Sequence, residues 1–119
     1  MPTREDICSI LDSYIEHLSA HDVDELGALF ADDAVKHEPL GVASYHGRDE
    51  IRAFDVKAAR APFTAVRNSP ITVSGRHAAM QVAVRLEGVG EFIATDLFEF
   101  DEQGKITSLS VLIDSEARP

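Results

Sequence analysis

Hydrophobic residues recur at helical spacing up to about Thr64 and alternate one by one beyond it, so no all-helical or all-strand fold accommodates the whole chain. Thr3 followed by Arg4, Glu5 and Asp6 reads as a helix start, with acids near the positive end of the dipole. Ile7, Ile10, Leu11, Tyr14 and Leu18 then form one apolar stripe, with Cys8 a small core-facing neighbour. Asp22 caps a second helix with Glu25 in the capping-box position; Val23, Leu26, Leu29 and Phe30 supply its apolar face, and Asp32 and Asp33 end it. Ala34 to Glu38 is a short extended run, biased that way by Pro39. Gly41 and Gly47 bracket a loop, and the spacing of Ile51, Phe54 and Ala58 predicts a third helix from about Arg48 to Arg60, closed by Pro62.

The second half carries three turn signals: Ser74-Gly75, Gly88-Val89-Gly90 and Asp101-Glu102-Gln103-Gly104. They predict an antiparallel meander of four strands. Met80, Val82, Val84 and Leu86 share one face, as do Leu109, Val111 and Ile113; Ala79, Gln81, Ala83 and Arg85 make a flatter opposite surface. The expected fold is α+β, a single domain over residues 1–119. A strongly curved antiparallel sheet packs against about three N-terminal helices and encloses a hydrophobic pocket.

Acidic residues outnumber basic ones 21 to 11, and a formal charge of -10 repels nucleic acid and anionic lipid surfaces. A neutral or cationic small molecule is the easier partner. No run of about 18 apolar residues is present, and Met-Pro-Thr-Arg-Glu-Asp lacks the layout of a secretory signal, so a soluble, cytoplasmic protein without a membrane partner is expected. A lone cysteine allows no internal disulfide. The five histidines, His17, His21, His37, His46 and His77, show no metal-ligand spacing, and no nucleophile elbow or phosphate-cradling glycine loop occurs. No metal or cofactor is expected.

Against this background Asp96 stands out, because it shares the oily face of a strand with Phe92, Ala94, Phe98 and Phe100. An acid in apolar surroundings loses hydration of its charged form, and a site that keeps it protonated gains a hydrogen-bond donor. Tyr14 lies on the buried stripe of the first helix and Glu38 at the end of the first extended run. Together the three suggest a proton-transferring base and a clamp for an oxyanion. Lys36 shares the strand face of Glu38, and a cation beside a carboxylate favours its charged form and makes it a poorer base. His37 points to the other face; if the register is shifted by one, His37 becomes the base candidate instead. Asp55, at the fourth position after Ile51, reads either as a helix-surface acid or as a cavity-wall acid.

These residues resemble a ketosteroid isomerase of the NTF2-like, SnoaL-like superfamily. The resemblance runs through the Tyr14 helix, residues 20–34 with their Leu-Phe-Ala-Asp-Asp-Ala signature, Glu38-Pro39, Gly47 leading into Ile51-Arg52-Ala53-Phe54, and Asp96-Leu97-Phe98-Glu99-Phe100 followed by Gly104-Lys105-Ile106. It implies that Tyr14 and a protonated Asp96 donate to a steroid oxygen while Glu38 moves the proton; the raised pKa of Asp96 is here a property of that family, not a deduction from this chain. Three positions depart from the family pattern: Glu38 where aspartate is usual, Asp55 where a second tyrosine is common, and Lys36 where an apolar residue is favoured.

The resemblance implies a cofactor-free isomerase acting on a hydrophobic, steroid-like ketone, with Val82, Val84, Leu86, Phe98, Leu109 and Val111 around the substrate. Lys36 and Asp55, which depart from the family pattern, are candidates for a supporting layer behind the catalytic groups. It also implies a homodimer through the outer sheet face at Ala79, Ala83 and Arg85. The same fold hosts hydro-lyases, epoxide hydrolases and noncatalytic binders of hydrophobic molecules, which remain alternatives.

Overall fold

The computed structural model describes residues 1–119. Helix α1 spans Arg4–Ser19 and opens with a full capping box: the Asp6 amide donates to Thr3 Oγ1 at 3.1 Å and the Thr3 amide to Asp6 Oδ2 at 2.9 Å. Its buried stripe is Ile7, Leu11 and Tyr14. Helix α2 is shorter than its apolar spacing suggests, Val23–Gly27. Phe30, expected on its face, instead begins strand β1, Phe30–His37. Long-range pairing decides this: Phe30 lies beside Ile106, the Ile106 amide donates to the Leu29 carbonyl at 2.9 Å, and Arg48 Nη2 donates to the Phe30 carbonyl at 2.5 Å.

The segment expected to be loop between Gly41 and Gly47 contains strand β2, Ser44–His46, antiparallel to β1. Helix α3 follows at Arg48–Ala58 and buries Ile51 and Asp55. Strands β3 (Phe63–Arg67), β4 (Thr72–Ser74), β5 (His77–Leu86), β6 (Gly90–Phe100) and β7 (Ile106–Asp114) complete the chain. β3 and β4 both pair with β5 but at opposite ends of it, so the first expected strand of the meander is two.

The sheet order is β2-β1-β7-β6-β5-β3, with β4 also on β5. It is mixed, not wholly antiparallel, because β1 runs parallel to β7. The register between them shifts from Phe30 opposite Ile106 to Val35 opposite Ser108, an irregularity that leaves Asp32 and Asp33 exposed and turns Ala34 and Lys36 inward. The result is an α+β fold with a curved sheet and few helices, its core between the inner sheet face and α1 and α3.

Candidate active site

The inner face of the sheet is read directly from its registers. Met80, Asp96 and Val111 lie side by side across β5, β6 and β7, and Val82, Ala94 and Ile113 form the next row. Asp96 is therefore flanked on both sides by hydrocarbon. Only 3% of it is exposed. Burial, then the negative field of Glu38, push its carboxyl up to about 7, and Lys36 only partly offsets them.

Tyr14 reaches the same chamber from α1, its ring edge-on to Phe98 with centroids 5.2 Å apart. Burial, with the charges of Asp96, Glu38 and Asp55, holds its phenol well above the usual value, so it is a hydrogen-bond donor throughout the neutral range. Neither the Tyr14 hydroxyl nor the Asp96 carboxyl has a hydrogen-bond partner within the chain. Both residues line an apolar cavity of about 240 Å³.

β1, two strands from β6 in the same sheet, adds a charged part of the wall. Lys36 is 2% exposed, and its Nζ lies 2.9 Å from Asp55 Oδ1 on α3, 3.3 Å from Glu38 Oε1 and 4.8 Å from the centroid of the Phe54 ring. Burial alone pulls the Lys36 pKa down, but Glu38 and Asp55, by charge and hydrogen bonds, outweigh it and the net direction is upward. Lys36 is thus an ammonium ion. Asp55, which could have faced solvent, is a buried cavity-wall acid whose Oδ2 has no partner. Glu38 keeps 24% of its side chain exposed, and its amide donates to the Ala43 carbonyl at 3.0 Å.

Tyr14, Lys36, Glu38, Asp55 and Asp96 therefore share one cavity. His37 does not: its Nδ1 is 2.7 Å from Ser44 Oγ on the far side of β1, which removes it as a base candidate. Of the expected apolar wall, Val82, Val84, Leu86 and Val111 line the chamber, whereas Phe98 and Leu109 do not. Those two sit in adjacent register deeper in the core, where Phe98 backs the Tyr14 ring. Phe92, Ala94 and Ile113 line it as well, and they share the alternating face of Asp96 and Val111. Phe54 and Ala58, from the stripe of α3, also take part, as do Ala61 and Phe63 after it.

His21 shapes that last stretch. Its two ring nitrogens lie 2.9 Å from the carbonyl oxygens of Ala59 and Phe63, and its ring stacks on Phe63 with centroids 4.4 Å apart. Arg52 and Arg85 are exposed, Arg52 paired with Asp24 at 2.7 Å. No group of three or more His, Cys, Asp or Glu side chains is placed to hold a metal ion. No helix is long and apolar enough to cross a membrane.

An apolar chamber with a half-buried carboxylate paired by one oxygen, one carboxyl poised between its two forms and one phenol can carry out proton transfer next to a carbonyl, or acid-assisted opening of a C–O bond. Known proteins share this fold. The family model for the SnoaL-like domain matches residues 11–109. Among solved structures, one described for the role of the epoxide hydrolase/cyclase-like enzyme SalBIII in pyran ring formation in the polyether salinomycin superimposes with a TM-score of 0.87 at 21% identity, covering 97% of this chain and 95% of that one. That likeness is one of fold.

Proposed function

The chain belongs to the SnoaL-like domain family, and from the site it builds on that fold we propose that it is a cofactor-independent isomerase. It moves a double bond from the β,γ to the α,β position of a ketone, of the 3-oxo-Δ5 to 3-oxo-Δ4-steroid type. One observation carries the reading: Tyr14 and Asp96 are buried, lack partners within the chain, and face an apolar cavity that also holds the carboxylate of Glu38, paired by one oxygen with Lys36. Glu38 takes the proton between carbonyl and alkene, and negative charge builds on the ketone oxygen. Tyr14 and protonated Asp96 donate to that oxygen, and Glu38 returns the proton to the far carbon of the dienolate.

The cavity of about 240 Å³ is smaller than the roughly 300–1,000 Å³ typical of pockets that enclose drug-sized ligands. The reacting ring occupies it, and the remaining rings of a steroid project past Leu86, Phe92 and Ile113. The test is the rise in conjugated-enone absorbance on mixing with an unconjugated steroid ketone, compared with Glu38→Gln. Absence of turnover beside tight binding of a planar phenolic steroid turns the reading into that of a binder.

A specific observation favours a second reading. Lys36, Glu38 and Asp55 form a charged set beside a carboxyl near neutrality, which suits a hydro-lyase or epoxide hydrolase in which an acid assists departure of oxygen. Hydrolysis of an epoxide with no enone formation from the ketone selects it. The protein is further proposed to pair as a homodimer through the outer sheet face at Ala79, Ala83 and Arg85, where Val66, Leu97 and Leu112 are exposed. Light scattering at the monomer mass removes that proposal.

A further inference from the structure

An ammonium group has three N–H donors, and three acceptors surround Lys36 Nζ: Asp55 Oδ1 at 2.9 Å, Glu38 Oε1 at 3.3 Å and the face of Phe54, 4.8 Å to its centroid. Its two closest contacts are the carboxylates, so Lys36 is held between Glu38 and Asp55. For Glu38 the effect is one of restraint. Its Oε1 is engaged and its amide is tied to the Ala43 carbonyl, while Oε2 has no partner within the chain. Lys36 is itself held from behind by its shorter contact to Asp55, so the amine cannot follow a swinging carboxylate without stretching that bond.

We infer that Lys36 is a positioning residue that fixes Glu38 by one oxygen and, resting on the isomerase reading, makes return of a proton to the carbon it left faster than delivery to the far carbon. Glu38 Oε2 takes the proton, the C–H electron pair enters the dienolate, and the charge resides on the ketone oxygen. Return to the same carbon needs no movement of the carboxyl group. Delivery to the far carbon needs a swing that strains the Oε1 contact. Either route restores the carboxylate and consumes no co-reactant. The site is thereby matched to compact cyclic ketones in which both carbons lie under one oxygen, or to ketones for which exchange at the first carbon is the useful outcome.

The test runs in D2O with an unconjugated 3-oxo-Δ5-steroid. Glu38, 24% exposed, trades its captured proton for a solvent deuteron before returning it, so return to the first carbon registers as exchange; proton NMR compares deuterium entering recovered substrate with conjugated product, after correction for the buffer reaction. Exchange exceeds isomerisation in the unaltered protein. Lys36→Met/Asp55→Leu, which removes the ion pair as a unit, lowers the exchange-to-isomerisation ratio about tenfold, the effect of a 1.4 kcal/mol change in relative barriers. Asp55→Asn also lowers the ratio, by less than the double variant, because the ammonium loses its anionic anchor and can follow the swinging carboxylate, and this variant decides the matter if the double variant does not fold. A ratio unmoved by both overturns the inference.

Carbon-13 relaxation of the Glu38 side chain supplies a readout independent of turnover: rigid in the unaltered protein, mobile in the double variant. Equal mobility overturns the restraint. If no protein shows exchange or isomerisation, the isomerase reading falls, and the relaxation measurement still decides whether Lys36 holds Glu38.

Discussion

The cavity buries an aspartate on each of two walls, and the two meet opposite surroundings. Asp96 lies between Met80 and Val111 in the sheet, with no cation in contact, and its proton is held up to about pH 7. Asp55, on α3, faces an ammonium ion at 2.9 Å. Residue type is the same, yet one wall presents a neutral donor and the other a charge network. The lesson is that strand register, not composition, assigns the roles: β1 turns Lys36 inward, beside Glu38 and Asp55.

The sharpest way to break this division of labour is at the charged wall. Glu38→Gln removes the proton carrier and lowers kcat by about 10³- to 10⁴-fold, near the upper end of general base contributions; an enone assay with kcat within threefold of the unaltered protein moves the base elsewhere. Lys36→Met alone leaves Asp55 buried without a counterion and costs about 3–5 kcal/mol of stability, whereas Lys36→Met/Asp55→Leu is close to neutral. Urea unfolding that finds the two variants equally unstable shows that the pair does not act as a unit.

On the donor wall, Asp96→Asn and Tyr14→Phe each lower kcat by about 10²-fold with little change in KM, because their bonds strengthen as charge develops. A change in KM alone assigns them to ordinary substrate binding. Stability supplies the most specific signal. The folded Asp96 carboxyl titrates near 7 against 3.8 in the reference state, so its contribution is fully present below pH 3.8 and declines as pH rises towards about 7. The loss over that window is at most about 4 kcal/mol. Asp96→Asn flattens this slope; a melting profile whose slope is unchanged by the substitution argues against the raised value.

The legibility of the molecule followed the range of the interactions. Tyr14 on its stripe and Asp96 on its oily face were visible because period 3.6 and period 2 are local properties. So was the α1 cap, which spans the four residues Thr3 to Asp6. The start of β1 at Phe30 was not, since its cause is a partner at Ile106 and an arginine at position 48. β2 is three residues long and carries no alternation to detect. Asp55 read as well on a helix surface as in a cavity, because nothing in a helix pattern announces an amine arriving from a strand 19 positions earlier. Phe98 shared the face of Asp96 yet fell beyond the chamber, because alternation gives the side of a sheet and not the depth along it.

The parallel pairing of β1 with β7 carries a consequence for biosynthesis. On the ribosome, residues 30–37 emerge well before residues 106–114, and β1 cannot gain its second neighbour until the later stretch has been translated. Until then the amine of Lys36 and the acids around it are bathed in water, and the hollow has no far side. A truncated or stalled product ending before β7 holds no reaction chamber.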